Sequence, residues 1–169
     1  MKITDKSFFE RDAFCVAEDL IGSYLCRRLN DGNILKQRIT ELEIYYGEGD
    51  SACHARFGKT NRSKTLYESG GITYVYLCYG IHYLFNVVTG PKDHPEAILI
   101  RGVEDFSGPG RVTKAMEINK DLHEVDITTS EELWIEARDI NVNYKKTPRI
   151  GINYASEPYK SILWRYLTN

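Results

Sequence analysis

The chain has 169 residues and carries 22 Lys and Arg against 24 Asp and Glu, a formal charge of −2. This length suits one domain whose core needs no metal or disulfide staple. The mild acidity argues against a generally basic nucleic-acid coat while leaving room for a local basic surface. No apolar run is long enough to cross a membrane, and Met1-Lys-Ile-Thr-Asp-Lys6 opens no signal peptide, so a cytoplasmic protein is expected.

In chain order, Asp12 can cap a short helix with Phe14, Val16, Ala17, Leu20 and Ile21 near helical spacing, ended by Gly22. Ser23 to Leu29 and Ile34 to Tyr46 read as strands joined through Asn30-Asp31-Gly32-Asn33. Within the second strand, alternation sends Glu41, Glu43 and Tyr45 to one face and Leu42 and Ile44 to the other. Such a strand is either an edge with a solvated acidic face or a scaffold that holds two carboxylates in register with a ring. Gly47 to Gly71 is irregular and carries His54, Arg56, Lys59, Arg62 and Lys64. It is either a functional loop or a floppy charged one.

Ile72 to Val88 is rich in β-branched and aromatic residues and is interrupted at Gly80, which predicts a hairpin with Tyr79 near its tip. Tyr79 either folds back into the core or stands exposed as a wedge. Asn86, the lone amide of its strand, needs hydrogen-bond partners if buried. Ala97 to Val103 is a further strand containing Arg101. Ser107-Gly-Pro-Gly110 turns into a helix with Val112, Ala115 and Met116 on one face and Arg111 and Lys114 near its start. Weaker strands are predicted at Leu133 to Ala137, Arg149 to Tyr154 and Ser161 to Leu167. Cys15, Cys26, Cys53 and Cys78 are scattered and read as buried, reduced thiols, with no zinc site and no disulfide framework. With no linker or repeat, residues 1–169 read as a single α+β domain: a curved, mainly antiparallel sheet, a few helices and a protruding β-hairpin.

A glutamate over a pocket can take a proton from an attacking water. Tyr45, Tyr76 and His54 offer flat faces for a planar heteroaromatic ring, and an aromatic at a hairpin tip suits a wedge between stacked bases. Together they describe an enzyme that flips a nucleotide out of a duplex. Two other readings stand beside it. Glu41 and Glu43, about 6.6 Å apart by strand rise, could form the carboxylate pair of a glycoside hydrolase. A non-catalytic protein could bind damaged DNA through Tyr79 and the basic residues.

Glu41-Leu-Glu-Ile-Tyr-Tyr-Gly47 with Asp50 and His54, then Gly58-Lys-Thr60 and Arg62, resembles the opening motif of the alkyladenine (3-methyladenine) DNA glycosylase family. Tyr74-Val-Tyr-Leu-Cys-Tyr-Gly80 with Asn86 is similar to that family's intercalating hairpin. Ile98-Leu-Ile-Arg101, Gly108-Pro-Gly-Arg-Val112 and Arg149-Ile-Gly151 follow in the family's order. The resemblance implies a monofunctional base-excision enzyme without metal or other cofactor, acting as a monomer on double-stranded DNA with damaged purines. By that resemblance Glu43 is the general base, Tyr45, His54, Tyr76 and Asn86 form the base pocket, and Tyr79 intercalates. Asn86 then excludes the 2-amino group of guanine, and Lys59, Arg62, Arg101, Arg111 and Lys114 hold phosphates. The chain departs from the pattern in being short between Arg101 and Ser107 and in carrying Arg111 where lysine is commoner.

Overall fold

A computed structural model describes residues 1–169. Asp5 and Asp12 each accept a backbone N–H two residues on, at 2.9 Å, and cap two short helices, α1 (Lys6–Phe9) and α2 (Ala13–Leu20). At four residues α1 is too short for a helical period to register, and the sequence does not betray it. On α2 the buried residues are Ala13, Val16, Ala17 and Leu20, one continuous stripe. Gly22, at φ +84°, turns the chain out of the helix, and its N–H donates to the Ile39 carbonyl at 2.8 Å.

Strands β1 (Tyr24–Arg28) and β2 (Ile34–Tyr46) form the expected hairpin around Asp31-Gly32. β3 (Thr73–Cys78) and β4 (His82–Val88) form a second, followed by β5 (Glu96–Val103) and the two-residue β6 (Phe106–Ser107). Helix α3 (Pro109–Ala115) leads on to β7 (Leu133–Glu136), β8 (Tyr144–Thr147) and β9 (Arg165–Thr168). All nine strands belong to one antiparallel sheet whose main path is β3-β4-β5-β2-β1-β7. This is the α+β architecture that the sequence predicts.

β2 is its axis. One edge pairs with β5; the other is occupied first by β1 and then by β9, which lies opposite Glu41 to Glu43. The edge-strand reading of β2 is therefore excluded, and its acidic face is not solvated: Glu41 is 3% and Glu43 0% exposed. Leu42 and Ile44, pointing the other way, sit fully buried in the same core as the α2 stripe. Each such aliphatic side chain contributes roughly 1.5–3 kcal/mol on leaving water. The core thus clamps β2 from behind and fixes which face carries the carboxylates.

Three local expectations need correction. Arg149 to Tyr154 is not a strand: Pro148 removes a backbone donor, Gly151 takes φ +76°, and the pairing strand β8 lies earlier in the chain. Of Ser161 to Leu167 only the end pairs, as β9, because turn bonds to the Pro158 carbonyl occupy Ser161 and Ile162. Cys15 is exposed and Cys78 half-buried, so only Cys26 and Cys53 are buried thiols; all four are free. The loop from Gly47 to Gly71 contains two 3-10 turns, His54–Phe57 and Lys64–Tyr67, and buries Ala52, Cys53, Ala55, Leu66 and Tyr67, so it is packed rather than floppy. No helix is long and apolar enough to cross a membrane.

Candidate active site

The two glutamates of β2 have different surroundings. Glu41 Oε1 accepts from Arg101 Nε at 2.8 Å and from Arg165 Nε at 2.6 Å. Gly102 makes room for it, since a Cβ there would come within 2.9 Å of Glu41 Cβ. Glu43 Oε1 accepts the Ile150 N–H at 2.7 Å and Oε2 accepts the Tyr45 hydroxyl at 2.8 Å, with Arg101 Nε 3.7 Å from Oε1. Burial raises the Glu43 pKa above its ordinary 4.5, and Arg101, the Ile150 N–H and the Tyr45 hydroxyl pull against that rise. Arg101, expected on the DNA backbone, is thus drawn into the carboxylate pair. Glu41, held by two guanidinium groups, has the setting of a structural ion cluster and not of a general acid, which removes the glycoside hydrolase reading.

A groove of about 790 Å³ opens in front of this pair. Tyr45, His54, Tyr76, Tyr79, Arg62, Arg101 and Arg111 of the predicted set line it. Glu43 does not; Tyr45, Arg101 and Ile150, which touch its carboxylate, line the groove instead. A smaller chamber of about 40 Å³ lies behind, shared by Tyr45, His54 and Tyr76 and reaching Asn86. Asn86 is 4% exposed and its amide donates to the Tyr74 carbonyl at 3.1 Å, which supplies the partner its burial demands.

The aromatic walls hold one another. The His54 ring lies 4.6 Å from Tyr76, and His54 Nδ1 lies 2.8 Å from the Tyr74 hydroxyl. Burial first, then Arg62 and Arg56, pushes the His54 pKa down to about 4, so the ring is neutral at physiological pH. Behind Tyr45 stands Arg149, its guanidinium 4.8 Å from the ring centroid. Arg149 forms a fully buried, two-pronged pair with Asp50 at 2.7 and 2.9 Å and also donates to the Ile44 and Tyr159 carbonyls. Asp50 in turn accepts the Tyr46 and Ala52 N–H groups. This one pair ties the loop carrying His54 to the segment that presents Ile150 to Glu43.

At the hairpin tip Tyr79 is 90% exposed at φ +52°, followed by Gly80 at φ +66°, and the Ile81 N–H donates to the Cys78 carbonyl. Two successive positive φ values are what a type I′ turn requires. Tyr79 is therefore not folded into the core. Four arginines (Arg56, Arg62, Arg101, Arg111) and no carboxylate line the groove. Lys59 and Lys114 are exposed but lie outside the lining, and Lys59 sits 5.6 Å over the Tyr67 ring. Sequence reasoning missed Arg165, the Ile150 N–H, and Arg56, Phe57 and Tyr154 as lining residues. Arg101 and Arg165 reach the glutamates through strand register, for which the single chain carries no signal, and the Ile150 N–H comes from the loop marked only by the motif Arg149-Ile-Gly151.

Similarity to known proteins places the chain among the DNA glycosylases, hydrolases that act on N-glycosyl bonds. A model described as "Methylpurine-DNA glycosylase (MPG)" matches residues 7–107 and 104–169. A protein of Borrelia garinii subsp. bavariensis is 43% identical, covering 96% of this chain and 94% of its own length. One from Psychrobacter cryohalolentis is 39% identical, covering 98% and 91%, and one from Chlamydia felis 36%, covering 99% and 96%. Each of the three bears the name "Putative 3-methyladenine DNA glycosylase". The chain belongs to the methylpurine-DNA glycosylase family.

Proposed function

We propose that this protein is a monofunctional base-excision enzyme that hydrolyses the N-glycosidic bond of damaged purines extruded from duplex DNA. The observation that carries this reading is Glu43: a buried carboxylate of raised pKa, held by Tyr45 and Ile150 at the back of an aromatic, arginine-lined groove. A base of raised pKa takes a proton more readily from water. Water adds to C1′, Glu43 takes its proton, and the purine leaves with the electrons of the C1′–N9 bond. An alkylated purine is cationic and becomes neutral on leaving, so the step needs no acid beyond the substrate.

The neutral His54 and the phenols of Tyr45 and Tyr76, whose pKa values burial pushes upward, offer uncharged π faces to a cationic ring. Asn86, at the floor, would meet the base edge and reject a 2-amino group. Tyr79 would fill the gap left in the stack, and Arg62 and Arg111 would take phosphates, with Lys59 and Lys114 farther out. Arg101 is reassigned: it steadies Glu41 and Glu43 and faces the groove where water approaches C1′. Water reaches Glu43 when the Ile150 N–H gives way, one hydrogen bond to a charged group, about 1.5–3 kcal/mol. Ile150 is 47% exposed on an irregular segment, a place where such movement is cheap.

The test is single-turnover release of free base from duplexes carrying 3-methyladenine, 7-methylguanine, hypoxanthine or ethenoadenine. The expected result is free base with the strand left intact, fastest for the two cationic lesions. Binding without any release would reduce the protein to a lesion binder, and hypoxanthine outpacing both methylated bases would overturn the leaving-group reasoning.

A further inference from the structure

Five of the eleven well-exposed large apolar side chains line the one groove: Phe57, Leu77, Tyr79, Ile150 and Tyr154. Such a concentration marks a surface that something covers. Leu77 and Tyr79 belong to the hairpin and the Ile150 N–H serves Glu43, which leaves Tyr154 and the more exposed Phe57 without a role. Phe57 ends the 3-10 turn that His54 begins, and in that geometry residues three apart eclipse, roughly 6 Å apart along the axis. Phe57 therefore continues the His54 wall outward to the mouth of the groove. It is 73% exposed.

Arg56 holds that ring in place. Its guanidinium lies 4.3 Å from the Phe57 centroid and 5.2 Å from that of Tyr154, while Nη1 donates to the Cys53 carbonyl at 3.0 Å. The Tyr154 hydroxyl donates to the Ala52 carbonyl at 3.1 Å. One face of Phe57 is thus backed by a cation that is tied to the backbone, and its exposure leaves the rest of the ring to solvent. Arg56, Lys59, Arg62, Lys64 and Arg111 make no ion pair with any carboxylate. From Ser51 to Tyr67 the chain carries four of these cations and no acidic residue. A flat ring set among unpaired cations has the chemistry of a nucleobase-stacking platform beside a phosphate track.

We propose that Phe57, backed by Arg56, is a second base-stacking platform at the groove mouth, and that its ligand is an unpaired nucleotide of single-stranded DNA. On the glycosylase reading, on which the choice of DNA rests, it receives the unpaired base next to the lesion. The inference extends the substrate class of the groove from duplex to single strands.

The probe is a short, undamaged single strand carrying one 2-aminopurine, whose fluorescence is quenched on stacking. Wild type should bind and quench. Phe57→Ala should weaken binding by about 5- to 150-fold, the alanine effect of a lost base–aromatic stack, and lose the quench. Phe57→Tyr, which keeps the flat ring, should restore both. A wild type that neither binds nor quenches, or a Phe57→Ala protein matching wild type in both, overturns the proposal. So does concentration-dependent dimerisation that Phe57→Ala abolishes while single-strand binding is unchanged, since a second copy would then be the occupant. Base release from a lesion duplex is measured in parallel: its absence in wild type sinks the glycosylase reading, whereas the stacking result is read on undamaged DNA. Melting temperature checks that the exposed substitution leaves the fold intact.

Discussion

The site depends on pairing between single residues that lie far apart in the chain. Asp50 and Arg149 are both without exposed side-chain surface, and Arg149 Nε already lacks a partner. Removing one member of a buried pair leaves the other charged and unsolvated, at about 3–5 kcal/mol. Asp50→Asn should lose that much stability in urea unfolding and, because Arg149 then releases the segment holding Ile150, slow base release as well. A loss below about 1 kcal/mol would show that solvent reaches the pair. Of these details the sequence offered a part. The alternation in β2 puts Glu43 and Tyr45 on one face correctly, because period-two geometry is local. It gives no hint that Arg101 would turn to Glu41 rather than to phosphate, because that follows from the register between β2 and β5.

Among the elements, the β3–β4 hairpin spends stability on exposure. A tyrosine in the left-handed region costs of order 1–3 kcal/mol, and Tyr79 buries almost nothing in return. Tyr79→Gly suits the turn, so its melting temperature should equal or exceed that of wild type, while excision from duplex DNA falls. A variant that loses stability and activity together would instead mean that Tyr79 packs the hairpin. The turn itself was legible from Gly80 amid strand-forming residues. Whether Tyr79 folds inward was not, since that depends on how far the hairpin projects beyond β5. The same limit explains Arg149 to Tyr154: its residue types suit a strand, but the buried partner of Arg149 and the positive φ of Gly151 hold it as a loop.

Over the whole molecule, charge is sorted rather than scarce. The net charge is −2, yet the groove is lined by four arginines and no carboxylate, while Glu41, Glu43 and Asp50 are paired beneath it. Composition alone therefore understates the cationic face, although the acid-free run from Ser51 to Tyr67 was readable. In the proposed reaction Glu43, with a pKa raised by burial, takes the proton from water. A general base works only when ionised, so activity should be lost as pH falls through that raised pKa and level off above it. The deciding measurement is the pH profile of single-turnover base release from a 7-methylguanine duplex, whose leaving group is cationic across the acid limb, for wild type and Glu43→Gln. The expected result is an acid limb with its midpoint above 4.5 and a rate about 10²–10⁴-fold lower in the variant with no such limb. A limb that persists in Glu43→Gln, or a variant that keeps the wild-type rate, would contradict it.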